Sequence, residues 1–151
     1  MTCQDNEVLL NGVLIQMARS FLQYVAECSL WVAADAASDE AQVIVLAARQ
    51  RQDVADIAAL LDAREHSIDF GSFPTEYTDQ QFLSLQSVMS GLKRSHESVC
   101  NRISIAVVSL RTAGDSKAAE LLTTIESHER DILRGLTEIE KTLSSHSTAV
   151  V

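Results

Sequence analysis

The chain is poor in the residues that break helices: a single proline and five glycines in 151 residues. That is too few turn-formers for an all-β domain of short strands. Its three cysteines, Cys3, Cys28 and Cys100, are unclustered and show no CxxC spacing, so neither a disulfide framework nor a zinc knuckle is indicated. Basic residues are also scarce, twelve against twenty-one acidic ones, for a net charge of -9. Such a surface gains nothing by releasing counterions from a phosphate backbone, which argues against nucleic acid as a partner. No apolar run approaches the roughly 20 residues needed to span a bilayer. The first residues, Met1 to Glu7, lack the basic start and apolar stretch of a secretory signal. The expectation is a cytoplasmic protein with reduced thiols. No glycine-rich phosphate loop, nucleophile elbow or HExxH motif occurs, so nucleotide, acyl-transfer and zinc-protease chemistries have no residues to rest on.

What is present is apolar content, 46% of the chain, arranged in four long stripes with alternating three- and four-residue steps. Leu10, Leu14, Met17, Phe21, Tyr24, Cys28 and Trp31 form the first. Val43, Ala47, Gln50, Val54, Ile57 and Leu61 form the second. The third runs from Phe82 through Leu92, His96, Val99 and Ile103 to Leu110, and the fourth from Leu122 through Ile125, Glu129, Ile132 and Leu136 to Leu143. Ser38 or Asp39, the box opened by Thr78, and Asp115 or Ser116 supply helix starts, and Gly114 supplies a left-handed helix end. Helices are expected near 6–35, 39–66, 79–112 and 116–144, in one domain spanning 1–151 with frayed ends at 1–5 and 145–151.

Connection lengths set the topology. The first and second helices are joined by about three residues, as are the third and fourth, which makes each pair an antiparallel hairpin. Between the hairpins lie residues 67–78, with the only proline. Extended at ~3.3 Å per residue this segment reaches about 40 Å, the length of a helix of roughly 26 residues. It either folds as a compact loop at one end or crosses over from end to end. The crossover is favoured because Phe70, Phe73 and Tyr77 offer it apolar anchors.

Polar residues interrupt the stripes at similar depth. Counting from turns at Ala37 and Gly114, Tyr24 faces Gln50 and His96 faces Glu129, with Glu27 and Asp53 one helical turn from Tyr24 and Gln50. Tyr24, Glu27, Gln50, Asp53, His96 and Glu129 are therefore expected to form a mid-bundle polar cluster. Carboxylates and an imidazole converging from several helices suit a divalent or ferric ion. Long helices with short, long and short connections and mid-helix acids resemble the ferritin-like superfamily. The stretch from Gly71 to Thr78 followed by Phe82-Leu83-Ser84-Leu85 also resembles bacterial ferritin-like proteins.

That resemblance implies an all-α, ferritin-like four-helix bundle and, in diiron members, one Glu from each of two helices plus a Glu-x-x-His pair from each of the others. Here the second-helix slot reads Gln50-Arg51-Gln52-Asp53, and Glu129 is followed three residues later by Ile132. Both expected histidines are missing. The reading that follows is a non-catalytic bundle in which a buried polar network replaces the diiron site, with no cofactor. In the alternative, Glu27, Asp53, His96 (or Glu97) and Glu129 hold iron or manganese for storage or oxidation. A third reading is a protein interaction module. Glu129 in a core stripe must be paired or bonded, with His96, Tyr24 or Gln50 as its partners. His66, His128 and His146, and Arg49, Arg51 and Arg64, read as solvated. Trp31, Val32 and the run Val43 to Leu46 carry more apolar surface than one stripe needs, which suggests a homodimer through the first hairpin.

Overall fold

The computed structural model describes residues 3–28, 37–80 and 83–148. Among these residues the regular elements are five α-helices, α1 (Cys3–Ala18), α2 (Phe21–Glu27), α3 (Ala37–Ala63), α4 (Leu85–Thr112) and α5 (Ser116–Thr148), with a short 3-10 helix at Thr75–Gln80. α1 and α2 together make one rod, so the molecule is a bundle of four. The α1 rod packs on α3 and α4, and α5 packs on both of those.

α4 and α5 follow their periodicity closely. Val88, Leu92, Val99, Ile103, Ala106 and Leu110 of α4 are buried, as are Leu122, Ile125, Ile132, Leu136 and Ile139 of α5. Gly114 ends α4 in the left-handed region, at φ 78°, where only glycine is unstrained. The Asp115 amide then donates back to Leu110 O at 3.0 Å. Asp115 caps α5 through Oδ1, which accepts from Ala118 N at 3.2 Å.

The first rod departs from the periodic reading. Instead of one helix through 6–35, the helix ends at Ala18, and Ser20 at φ -68°, ψ 160° caps a new one by accepting from Gln23 N. Cys28 is extended again; Trp31 and Val32 lie outside the described residues. The third helix begins at Leu85 behind a Ser84 cap, not at residue 79. Thr78 closes the 3-10 turn by donating to Thr75 O at 2.7 Å instead of opening a capping box. The physical reason lies in Tyr77, which turns onto Phe21 and Tyr24 with ring centroids 5.1 and 5.4 Å away. Ser38 and Asp39 fall inside the first turn of α3, which starts at Ala37.

The long connection is a crossover. Arg64 at the end of α3 bonds Glu7 near the start of α1 and Asp115 just before α5, so α3 and α4 both finish at that end and run parallel. The connection then tracks the first rod. Asn11 and Asp69 exchange hydrogen bonds at 3.1 and 3.0 Å. Arg19 Nε donates to the carbonyls of Phe70 and Gly71 at 3.0 and 3.1 Å. Phe73 meets Tyr24 edge-on at 5.5 Å. Gly71 sits at φ 66°, and a Cβ there would lie 2.7 Å from Ile15. Phe73 and Tyr77 anchor the segment, whereas the Phe70 ring is 45% exposed, and its carbonyl makes the contact instead.

Two hydrophobic clusters fill the bundle. One, with Leu10, Leu14, Ile57, Leu61, Ile103, Leu110 and Leu122, occupies the Arg64 end. The other, with Phe21, Leu22, Val43, Met89, Leu92, Leu136 and Ile139, occupies the far end. Between them, at the level of Gln50, the interior turns polar. Among the described residues no helix is long and apolar enough to cross a membrane.

Candidate functional site

The polar layer is built by one or two residues from each rod. The break at Arg19 and Ser20 re-phases the first rod, so that Ser20 and Gln23 point inward, 4% and 2% exposed. Gln50 and Asp53, one turn apart on α3, are 0% and 2% exposed, His96 on α4 is 1%, and Glu129 on α5 is 0%. Each needs an internal partner, because an unsatisfied buried polar group costs ~1–3 kcal/mol and a charge more.

The partners form a chain that ends on one carboxylate. Ser20 Oγ and Gln23 Nε2 donate to Gln50 Oε1 at 2.8 and 2.9 Å, and Gln23 Nε2 also reaches Ala47 O at 2.8 Å. Gln50 Nε2 donates to Glu129 Oε2 at 3.1 Å. His96 Nε2 approaches the same oxygen at 3.0 Å and the Glu129 carbonyl at 3.1 Å. Both of its neighbours are acceptors, so this nitrogen carries the hydrogen. Apart from the Gln23 bond to Ala47 O, the donors run from Ser20 and Gln23 through Gln50 to Glu129, and each polarises the next.

Asp53 closes the other side. Its Oδ1 accepts from His128 Nδ1 at 2.8 Å, and the His128 side chain is 45% exposed, so it joins the interior to the surface. Burial pushes the Asp53 carboxyl up to about 7, the neighbouring Glu129 carboxyl adds to the rise, and His128 opposes it. Asp53 Oδ2 and Glu129 Oε1 are both buried without a hydrogen-bond partner. Cys100, buried on α4 beside this layer, has its thiol pushed up to about 11, chiefly by burial. It is a poor nucleophile there.

Of the six residues expected in the layer, Gln50, Asp53, His96 and Glu129 come together and two do not. Tyr24 is half-buried and turns to Phe73 and Tyr77, and Glu27 is exposed at the end of α2. Both are displaced for one reason: the new helix start at Ser20 advances the inward face by one residue, so Gln23 takes the place expected of Tyr24. Glu27 is therefore not a candidate ligand beside Asp53, His96 and Glu129, and Glu97 is exposed as well. Three members were missed. Ser20-Phe21-Leu22-Gln23 has the spacing of a capping box, a signal for both Ser20 and Gln23. His128 had no signal, because its partner Asp53 lies 75 residues away.

A second polar cluster ties the Arg64 end together. The Arg64 guanidinium clasps Asp115 with two hydrogen bonds of 2.7 and 2.8 Å and reaches Glu7 at 3.2 Å. Asn6 donates to Asp115 at 3.2 Å. Arg64 is thus not a solvated side chain, and it holds the Asp115 carboxyl below the ordinary aspartate range. A shallow depression of about 770 Å³ opens beside it, lined in part by Glu65 and His66.

The donor set of the mid-bundle layer does not fit a pair of metal ions. Two positions are neutral amides already bonded to each other, His96 is the one fully buried imidazole among the described residues, and Ile132 occupies the slot one turn after Glu129. Among the described residues no group of three His, Cys, Asp or Glu side chains is gathered closely enough to hold a metal. Comparison with family models, curated proteins and solved structures finds no match to this chain.

Proposed function

We propose that the chain is a ferritin-like bundle in which hydrogen-bonded side chains occupy the interior layer that diiron relatives give to metal, and that it acts without catalysis, as a structural or binding protein. The observation that carries this reading is the placement of the layer. Gln23, with Ser20 beside it, projects from the first rod and His96 from α4, while α3 and α5 present the i, i+3 positions Gln50 with Asp53 and Glu129 with Ile132. That is the inward pattern of one ligand from each of two helices and an i, i+3 pair from each of the others. Amides, aspartate and isoleucine stand at the diagnostic positions. The layer then serves packing specificity: each amide fixes the rotation of its helix against the next.

The test is metal loading. The protein is incubated with saturating iron(II) or manganese(II), desalted and assayed by elemental analysis, with the melting temperature recorded in parallel. Retention below about a tenth of an ion per chain, with no rise in melting temperature, is the expected result. A second reading, a mononuclear site formed once Asp53, His96 and Glu129 draw closer together than they stand, has one observation in its favour: Asp53 Oδ2 and Glu129 Oε1 are both buried without a hydrogen-bond partner. Stoichiometric uptake lost in Asp53→Asn would establish it and overturn the first.

A further inference from the structure

The outer face of α3 is unlike that of the other long helices. α4 and α5 bury one apolar face and turn a largely polar one outward, with Ile105 and Val108 of α4, 66% and 63% exposed, an isolated apolar pair on it. α3 buries Val43, Leu46, Ala47, Val54, Ile57, Leu60 and Leu61, yet its opposite side is also apolar. Ala41, Val45, Ala48, Gln52, Ala55 and Ala59 succeed one another in steps of four and three residues and are all exposed, with Ile44 beside them. Val45 is 58% and Ile44 44% exposed. A helix that carries a second apolar stripe besides its core face is normally covered along that stripe as well, and a three- and four-residue seam is the pattern of one helix laid along another.

We infer that this face is covered by a second copy of the chain, with the two α3 helices antiparallel about a two-fold axis between Gln52 and Asp53. The charges beside the seam select that occupant. Arg49 and Asp56 lie on the same flank of the helix, seven residues apart, and a two-fold axis at their midpoint sets Arg49 of each copy opposite Asp56 of the other. Among the described residues neither Arg49 nor Arg51 takes part in an ion pair. The small side chains at 41, 48, 55 and 59 let the two helices approach closely, and Val45 of each copy enters the groove near Ala59 of the other.

A helix of 27 residues is about 40 Å long. A strip about 10 Å wide along it buries on the order of 800 Å² in total, below the roughly 1,200 Å² at which stable specific interfaces begin and in the range of weak, transient ones, so the dimer exchanges readily with the single chain. The expectation of a homodimer through the first hairpin is thereby narrowed to α3 alone. Val43 and Leu46, counted earlier toward that surface, are buried inside the bundle. No residue of the outer face belongs to the polar layer, so this inference stands or falls apart from the proposed function.

Sedimentation equilibrium from low micromolar to near-millimolar chain tests it. The average mass is expected to climb from one chain toward two. Val45→Glu and Ala55→Glu, both at exposed positions and checked for unchanged circular dichroism, should each weaken the dimer at least about tenfold. Arg49→Asp and Asp56→Arg should each weaken it, and the double exchange should restore it to within about threefold of the original. A single-chain mass at every concentration, a dimer indifferent to both glutamates, or a double exchange that restores nothing would overturn the inference.

Discussion

The bundle contains two polar clusters that do the same topological work by different physics. The mid-bundle layer joins the first rod, α3, α4 and α5 through groups that are almost wholly inaccessible, and its bonds run among amides, an imidazole and two carboxyls. The Arg64 cluster joins α1, α3 and the start of α5, but at the boundary with water, where Arg64 is 20% exposed and its bonds are between full charges. Water competes at the boundary, whereas Ser20, Gln23, Gln50, Asp53, His96 and Glu129 in the layer are at most 4% exposed. The contrast teaches that geometry alone does not rank such clusters: removing one member of the layer strands several others with nothing to replace it, whereas solvent can refill the gap left at the end.

The largest effect should come from Glu129→Ala, which leaves Gln50 and His96 without their shared acceptor and opens a cavity, at a cost of about 3–5 kcal/mol in urea unfolding. A loss under about 1 kcal/mol would show that water enters the layer. Arg64→Ala should cost less, about 1–2 kcal/mol, and its effect should shrink as salt is added, because that cluster is screened and the layer is not. If Arg64→Ala proved the costlier change, the comparison would be reversed. Glu27→Ala, outside both clusters, should stay within about 0.5 kcal/mol.

The pH dependence separates the two clusters by sign. The folded state raises the Asp53 carboxyl from 3.8 to about 7, so it binds the extra proton that the unfolded chain has released. This contribution is complete below about pH 4 and is lost as pH rises through 7. It amounts to at most about 4 kcal/mol at ~1.4 kcal/mol per unit. Asp115 is lowered instead, chiefly by Arg64, and its contribution is present above about pH 4 and lost as pH falls further. Urea denaturation across pH should therefore show a decline from pH 4 to 7 that Asp53→Asn flattens, and an acid limb that Arg64→Ala flattens.

Much of the architecture was legible in the chain because α4 and α5 each carry a single unbroken apolar stripe and the turn between them is marked by Gly114 and Asp115. Gln50, Asp53, His96 and Glu129 were found because a polar residue inside such a stripe has no exit to water. Tyr24 and Glu27 were misplaced because the apolar stripe from Leu10 to Trp31 reads as continuous across Arg19 and Ser20. Periodicity carries no record of a one-residue shift when apolar residues flank it on both sides. Ser20 and Gln23 held that information as a capping pair, a local signal outweighed by the longer pattern.

The sequence by itself determined that four apolar stripes would be buried as helices, that short and long connections would alternate, and that a few polar residues would be carried inside, because those outcomes follow from side-chain spacing along one chain. Only the tertiary structure decided that Asp53 meets both Glu129 and His128, that Arg64 clasps Asp115, and that Gln23 displaces Tyr24. Those pairings join residues tens of positions apart, and they depend on how far each helix is rotated about its own axis, which packing against its neighbours sets and no local rule encodes.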